Sequence, residues 1–503
     1  WQNSAGGTEL FEYVNTRNPL PTEDFAFLGH PRAPGSGPNV EPLLVDADQP
    51  DAALISRLSY PDGREVLLST LNNASFLLHS SVLAYEFLDF ATRGLFIGQR
   101  RAYLAVHDDD LFLDDALWDP AANANFDENV NSFRLSGSDI DAAAVAQSAL
   151  HTAHPLASTL KIDLPFNGSG AQTTGDSLTT EVLAHAQEFG FINHTYEHTQ
   201  MDWICPSDTS SMGCVRTDYT TAYNDIQQNI ETWRSLGLPD VDAGSKMLLT
   251  GGHSGLSDSL GTPDESDDIP FPQGINPALF QAATDLGITV LASDSSRPHQ
   301  DTIQRVPGYP QILLPRYPTA VFYNTTTPDE LESEYNYLFH DRYVAAGQDP
   351  CTVPAANCQV LSYPEIITSE GEVTLRHILT YQPFPHYFHQ VNLRVYDGAG
   401  HTLQFDWLES VLGEYERWMK LPLQNLRFHE LGALAWRKIS SKEAQPSGWV
   451  DTASGVVTLS TVGEADVDVT GIAGGETYGG ESLSTLHLTA TPATYALDAA
   501  LDR

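Results

Sequence analysis

Residues 189–198 read Phe189-Gly190-Phe191-Ile192-Asn193-His194-Thr195-Tyr196-Glu197-His198, and the rest of the chain is best read outward from them. The first four fit a short buried strand, and Asn193 then hands over to two histidines four residues apart. Histidine pairs at this spacing arise by chance on helix surfaces. Here a strand delivers the pair, which raises metal binding above that background. Two imidazoles so spaced can turn toward one point. An anionic oxygen ligand would complete a three-ligand site with a position left open for water, the arrangement of a catalytic metal centre. Glu197 directly precedes the second histidine, so this is not the HExxH pattern with its built-in base. The chain reads first as a metal-dependent hydrolase.

The missing carboxylate has a candidate upstream. Tyr103-Leu104-Ala105-Val106 is a short apolar strand running into Asp108-Asp109-Asp110. From about Arg100 onward, strands and helices alternate. Ser138 caps a helix through about Thr152, followed by a strand over 159–166 and a helix over 177–188. The strand 189–193 then delivers His194. Farther along, a helix over 277–286 precedes Gly287 and the strand 288–292. Such alternation predicts an α/β fold built on a parallel sheet or barrel. Chemistry in these folds gathers at the carboxyl ends of strands. The aspartates, His194 and Asp294 all follow closely after predicted strands.

The flanks differ in texture. Residues 1–97 read as the end of a preceding domain: a Pro- and Gly-rich opening, a strand over 64–70 and a helix over 80–93 ending near Gly94. The apolar segment Phe76–Phe96 is broken by His79, Glu86, Asp89 and Arg93, so a buried amphipathic helix is expected and no membrane span. Past residue 425, Gly455–Val469 alternates as strands do, and closely spaced glycines follow. The expected plan is a leading segment 1–97, a catalytic unit 98–425 and a small β-rich domain 426–503. The chain opens at Trp1 with no methionine or signal peptide, which reads as a mature form or a piece of a longer precursor.

Composition narrows the function. The 503 residues call for two or three domains, and 41% hydrophobic content excludes global disorder. A net charge of -41 excludes nucleic acid as a partner. It fits the solubility of an extracellular protein, affinity for a polycation, or both. The four cysteines form two close pairs, Cys205 with Cys214 and Cys351 with Cys358, and match no standard zinc pattern. Sequons at Asn73, Asn167, Asn193 and Asn324 add to a reading of a secreted protein with disulfides and glycans. Asn193 abuts a candidate ligand and is expected to stay unmodified.

Two stretches carry a family resemblance. EFGFINHTYEH (188–198) resembles the second motif of the polysaccharide deacetylases, the NodB-type carbohydrate esterases, and VHDDDLF (106–112) resembles their first. The resemblance implies a distorted (β/α) barrel over roughly residues 100–425. It implies that one aspartate is a general base, that another is a metal ligand, and that His194 and His198 complete the site. Aligning on the apolar residues that follow makes Asp109 the base and Asp110 the ligand; the other register gives Asp108 and Asp109. Arg316-Tyr317-Pro318 resembles the third motif, whose arginine orients the base, although it lies far downstream. Gly251-Gly252-His253-Ser254-Gly255 has the better order but no arginine. Asp294 is similar to the fourth-motif aspartate. Pro385–Gln390 resembles the fifth motif, with His389 as the acid and His386 as second choice.

The implied cofactor is Zn²⁺ or another divalent metal, and the implied partner an N-acetylated polysaccharide outside the cell or in the cell wall. Within the family the look is most similar to the fungal galactosaminogalactan deacetylases. Those act on N-acetylgalactosamine units of a biofilm exopolysaccharide and carry a flanking carbohydrate-binding module and β-sandwich. Trp203 and Tyr387 are candidates for stacking on sugar rings. Each deacetylation would leave a positive charge on the polymer, which an acidic surface would help retain. Two rival readings remain open at this stage: a non-catalytic carbohydrate-binding wall protein, and a zinc amidase or peptidase. Oligomeric state is not legible.

Overall fold

Seven short parallel strands form the core of the computed structural model, which describes residues 37–127, 129–204, 214–256, 275–297 and 300–501 and short pieces of the first 36. They are β1 Val106–Asp109, β2 Asp163–Phe166, β3 Gly190–Asn193, β4 Met247–Leu248, β5 Val290–Asp294, β6 Ile312–Pro318 and β7 His386–His389. Their order is β3-β2-β1-β7-β6-β5-β4. The ends of this row nearly meet, because the Leu249 N–H donates to the Asn193 carbonyl at 2.9 Å. The result is the distorted (β/α) barrel expected from the sequence.

Alternation along each strand sorts the side chains. Ala105, Ile192, Leu249, Val290, Ala292, Ile312 and Leu314 share one buried cluster inside the barrel. Phe428, Leu431, Ala435 and Ile439, all on the helix Phe428–Ala444, complete that cluster and form the barrel floor. The opposite parity faces the surrounding helices: Leu164, Phe166 and Phe191 on one side, Leu248, Leu291 and Leu313 on another. Inward residues one or two steps farther along the strands are polar. They include Asp109, His194, Asp294, Arg316, Tyr387 and His389, so the barrel is greasy below and chemical above.

Several element edges differ from the sequence reading. The first strand starts at Val106 and runs through Asp108 and Asp109 instead of stopping before them. Asp294 likewise closes β5 rather than following it. The first long helix of the barrel unit spans Gly137–Ala153 and is capped by Ser136, whose partner is Asp139, not by Ser138. The helix Phe428–Ala444 sits under the barrel, and the strands of the last unit begin only at Ser447.

The flanks fold as two β units. An antiparallel four-stranded sheet of Gln2–Asn3, Asn39–Val45, Ala53–Ser59 and Glu65–Ser69 leads into the helix Leu78–Thr92. No helix among the described residues is long and apolar enough to cross a membrane. At the other end, two small sheets enclose Val457, Leu459, Val467, Val469, Ile472 and Leu488. One of them borrows the strand Phe96–Ile97, which pairs with Val469 and Thr470.

The covalent expectations change. Cys351 and Cys358 are free, exposed thiols, and the Cys351 Sγ lies 3.8 Å from the Cys358 carbonyl oxygen instead of a sulfur bond. Cys214 is disulfide-bonded, as expected, and its expected partner Cys205 lies outside the described residues. Of the four sequon asparagines only Asn73 is exposed. Asn167, Asn193 and Asn324 are at most 1% exposed and hydrogen-bonded, so no glycan fits on them in the folded protein.

Candidate metal centre and its base

The turn after β3 is built by buried amides. Asn193 Oδ1 accepts from the Thr195 N–H at 2.9 Å and from Asn229 Nδ2 at 2.8 Å. Asn167 Nδ2 donates to the carbonyls of His194 and Thr195 at 2.6 and 3.0 Å. Asp225 receives the backbone N–H groups of Glu197 and Thr199. These bonds hold Thr195 and His198 at φ 65° and 58°, left-handed values that cost a non-glycine residue on the order of 1 kcal/mol or more. Asp110, Phe112 and His253 share that strain, so five of the eleven described non-glycine residues of positive φ cluster here.

Asp110 owes its position to the same device. Along β1, Asp109 faces the interior and Asp108 the outside. The left-handed turn at Asp110 (φ 67°) breaks the alternation and sends its carboxylate inward too. Its Oδ1 then lies 3.0 Å from His194 Nε2 and 3.3 Å from His198 Nε2. The ligand atoms of these three residues are all within 4.8 Å of one another. The two imidazoles meet edge to face at 4.8 Å between centroids. His194 Nδ1 lies 3.2 Å from the Leu249 carbonyl, which can only accept, so Nδ1 carries the proton and Nε2 offers its lone pair. Asp110 Oδ1 is buried with no hydrogen-bond partner. Lone pairs converging without a hydrogen between them fit a divalent cation. Burial works against the Asp110 anion, but His198 and His194 outweigh it and hold the carboxyl below its ordinary range.

Asp109 sits beside this cluster, 3% exposed, and is gripped end-on by Arg316. NH1 meets Oδ1 and NH2 meets Oδ2, each at 2.8 Å. Arg316 thus reaches the aspartate across 207 residues of sequence, because β6 and β1 both flank β7. His389, at the end of β7, points Nε2 at Asp110 Oδ2 from 3.8 Å, with 22% of its side chain exposed. Burial pushes its pKa down, and Asp110 and Asp109 offset this only in part.

Other sequence candidates fall elsewhere. Asp108 faces outward, and burial drives its pKa well above the carboxylate range. His386 also faces outward, with Nε2 3.1 Å from His377 Nδ1 and its ring against Tyr317 and Trp407. Asp294 does not reach the histidines. It accepts from the Tyr387 hydroxyl at 3.3 Å and from the Ser296 hydroxyl at 2.7 Å. Tyr387 is no free platform for a sugar, since Arg316 lies 4.3 Å over its ring. Trp203 belongs to a two-stranded ribbon with Val215–Arg216.

Sequence reasoning missed three positions. Tyr323 is 44% exposed, and its ring lies 5.6 Å from that of His389 at the rim of the site. His253, in the glycine-rich stretch that lacked an arginine, touches the arginine itself, its Nε2 2.8 Å from Arg316 NH2. Gly251 packs under His198, where an added Cβ would meet the ring at 2.7 Å. Gly251→Ala is therefore expected to displace His198 and weaken ion binding roughly 10–100-fold. Titration with zinc against a competing chelator would read this, and an unchanged affinity would contradict it.

The rim carries a pH-sensitive group. Asn324 Nδ2 donates to Glu334 Oε1 at 3.0 Å and also to Asn125, whose own Nδ2 donates to the Tyr323 hydroxyl at 2.7 Å. Glu334 Oε2 is buried without a partner, and burial lifts the carboxyl pKa to about 7. A carboxyl raised on folding favours its neutral form, so stability is present below the unfolded pKa and is lost as pH rises toward 7. Glu334→Gln is expected to stabilise the protein by roughly 2–3 kcal/mol at pH 8 and hardly at all near pH 4.5. Thermal melts at the two pH values would show the difference.

With this geometry in place, comparison with known proteins is informative. Residues 276–447 match the family model described as the Agd3 deacetylase domain. That span contains Asp294, Arg316 and His389, while the proposed ligands lie before it. The crystal structure of Agd3, a carbohydrate deacetylase, superimposes with a TM-score of 0.73 at 18% identity, covering 97% of this chain and 80% of that one. The Xyl-CE4 domain of a multidomain xylanase from the hindgut metagenome of Trinervitermes trinervoides covers 66% of this chain and 89% of that one. Its identity is 10% and its TM-score 0.28, too low to carry an argument. No curated protein matches. Nearly the whole chain thus has the fold seen in the crystal structure of Agd3, and residues 276–447 resemble the Agd3 deacetylase domain in sequence.

Proposed function

We propose that this chain is a secreted, metal-dependent N-deacetylase of an amino-sugar exopolysaccharide that contains N-acetylgalactosamine. The observation that carries the reading is the triad Asp110, His194 and His198 set directly beside an arginine-held Asp109, inside the Agd3 deacetylase fold. The ion that best suits two imidazoles and one carboxylate is Zn²⁺.

Held by the triad, a divalent ion supplies positive charge for a developing oxyanion and acidity for water. The chain's own residues do the rest. Each Asp109 oxygen spends one lone pair on Arg316 and keeps another, so the carboxylate can take the proton of the attacking water. Arg316 pairs with both Asp109 oxygens and fixes the direction of the carboxylate. His389 faces the same point from β7 and donates a proton to the leaving nitrogen; its partly exposed ring is reprotonated from solvent. Water's oxygen bonds to the acyl carbon, the C–N bond breaks, and acetate and a free amine leave. Tyr323, 44% exposed at the rim, is the aromatic side chain placed to meet the neighbouring sugar. The polymer gains a positive charge at each turn, and a protein of net charge -41 attracts it.

The test is acetate release from partially acetylated galactosaminoglycan, with and without a chelator. Release that a chelator stops and Zn²⁺ restores is expected. No release by zinc-loaded protein from any N-acetylated glycan would sink the reading.

A further inference from the structure

A guanidinium gripped end-on by a carboxylate is not yet fixed in space. The two planar groups can still tilt and roll together on the flexible arginine stem. What stops this motion at Arg316 is His253. Its Nε2 lies 2.8 Å from Arg316 NH2 and 3.3 Å from Nε, along the side edge of the guanidinium that Asp109 leaves free. The Tyr387 ring closes the face at 4.3 Å. An arginine has donors only, so His253 Nε2 meets it as an acceptor, and His253 is the neutral Nδ1–H tautomer. Burial and the neighbouring Arg316 charge both oppose protonation there.

The His253 ring is itself held. His253 lies in the short turn Gly251–His253, in a left-handed conformation (φ 53°), with its backbone N–H donating to the Thr250 carbonyl at 3.0 Å. The Thr250 hydroxyl donates in turn to the Ser254 carbonyl at 2.9 Å. The ring stands edge-on to Tyr387 at 5.3 Å. It is 5% exposed, so water does not compete for its lone pair.

We propose that His253 is a positioning residue for the hydrolysis, its Nε2 lone pair fixing the plane of Arg316 and so the direction in which Asp109 offers its free lone pairs. The inference rests on Asp109 being the base. His253 itself need not touch substrate or ion. The glycine-rich stretch 251–255, which resembled a third motif without its arginine, thus shares that motif's task with the arginine of the strand β6.

The test compares His253→Met with His253→Gln. The two side chains have similar length and similar backbone tolerance, but only glutamine offers an acceptor near the Nε2 position. His253→Met is expected to lower kcat by about 10²-fold, the scale of a misaligned base, with KM nearly unchanged. Ion content and melting temperature should stay at wild-type values. His253→Gln should recover most of the loss. In an Arg316→Lys background, His253→Met should add little, because a residue acting through the guanidinium has nothing left to align. Wild-type kcat in His253→Met, an equal loss in His253→Gln, or full additivity with Arg316→Lys would overturn the proposal. A crystal structure of His253→Met gives a readout independent of activity. A rotated guanidinium supports the inference even if the wild type proves to act on another amide, and an unmoved one defeats it.

Discussion

Replacing Asp110 with alanine is expected to cut acetate release by on the order of 10³-fold or more and to abolish the stabilisation that zinc gives the wild type. Asp110 is the anion of the triad, and without it two neutral imidazoles face the ion alone. A catalytic ion contributes several kcal/mol to the barrier, and each 1.36 kcal/mol is tenfold in rate. The signature is a pair of melting curves. Zinc should raise the melting temperature of the wild type, because an ion that binds only the folded state stabilises it. It should not raise that of the variant. If Asp110→Ala retains both ion and rate, the triad is wrongly composed.

The second large effect concerns Arg316. Arg316→Met leaves Asp109 buried at 3% exposure with its charge uncompensated, and breaking such a pair costs about 3–5 kcal/mol. Asp109 can escape the cost by taking up a proton, but a protonated carboxyl is no base. The variant should therefore be both less stable and slower by roughly 10²–10⁴-fold, the contribution of general-base catalysis. Arg316→Lys keeps the charge but not the two-pronged grip, and should fall between the two. Urea unfolding and steady-state rates on the same preparations check this. A variant that unfolds with the wild type and turns over normally would exclude Arg316 from holding a base.

The barrel was legible because its signals are local. Apolar runs of four or five residues, each ending in a polar residue, mark strands that enter a site. The residues after the Asp108–Asp110 run, Leu111 and Phe112, pointed to Asp109 and Asp110 over Asp108, and the structure brings those two to the site and turns Asp108 away. Period-two alternation alone would have grouped Asp108 with Asp110. Only the left-handed turn at Asp110 separates them, and an aspartate gives little notice of such a turn. His389 and His386 are likewise separated by an odd number of steps along β7, and alternation sends them to opposite faces. Asp294 carried the right neighbours, and the structure places its carboxylate against Tyr387 and Ser296. His253 was unreadable as a participant because its partner lies 63 residues on, and no spacing rule links a turn histidine to an arginine two strands away. The sequons at Asn167 and Asn324 misled for a physical reason. An asparagine side chain, both donor and acceptor, that braces a tight turn looks the same in sequence as one that waits for a glycan.

One feature of the flanks constrains how the molecule is made. The last sheet takes a strand, Phe96–Ile97, from before the barrel, and the Thr470 hydroxyl donates to the Gly98 carbonyl across 372 residues. That sheet is therefore complete only after the entire catalytic unit has been synthesised, and pairing over such a span is slow to form. Residues 426–503 expressed alone would lack a strand and keep a floor helix with no barrel to seat it. The terminal unit works as a clasp that locks the two ends of the barrel together, and a truncation meant to free the catalytic unit would unfasten it.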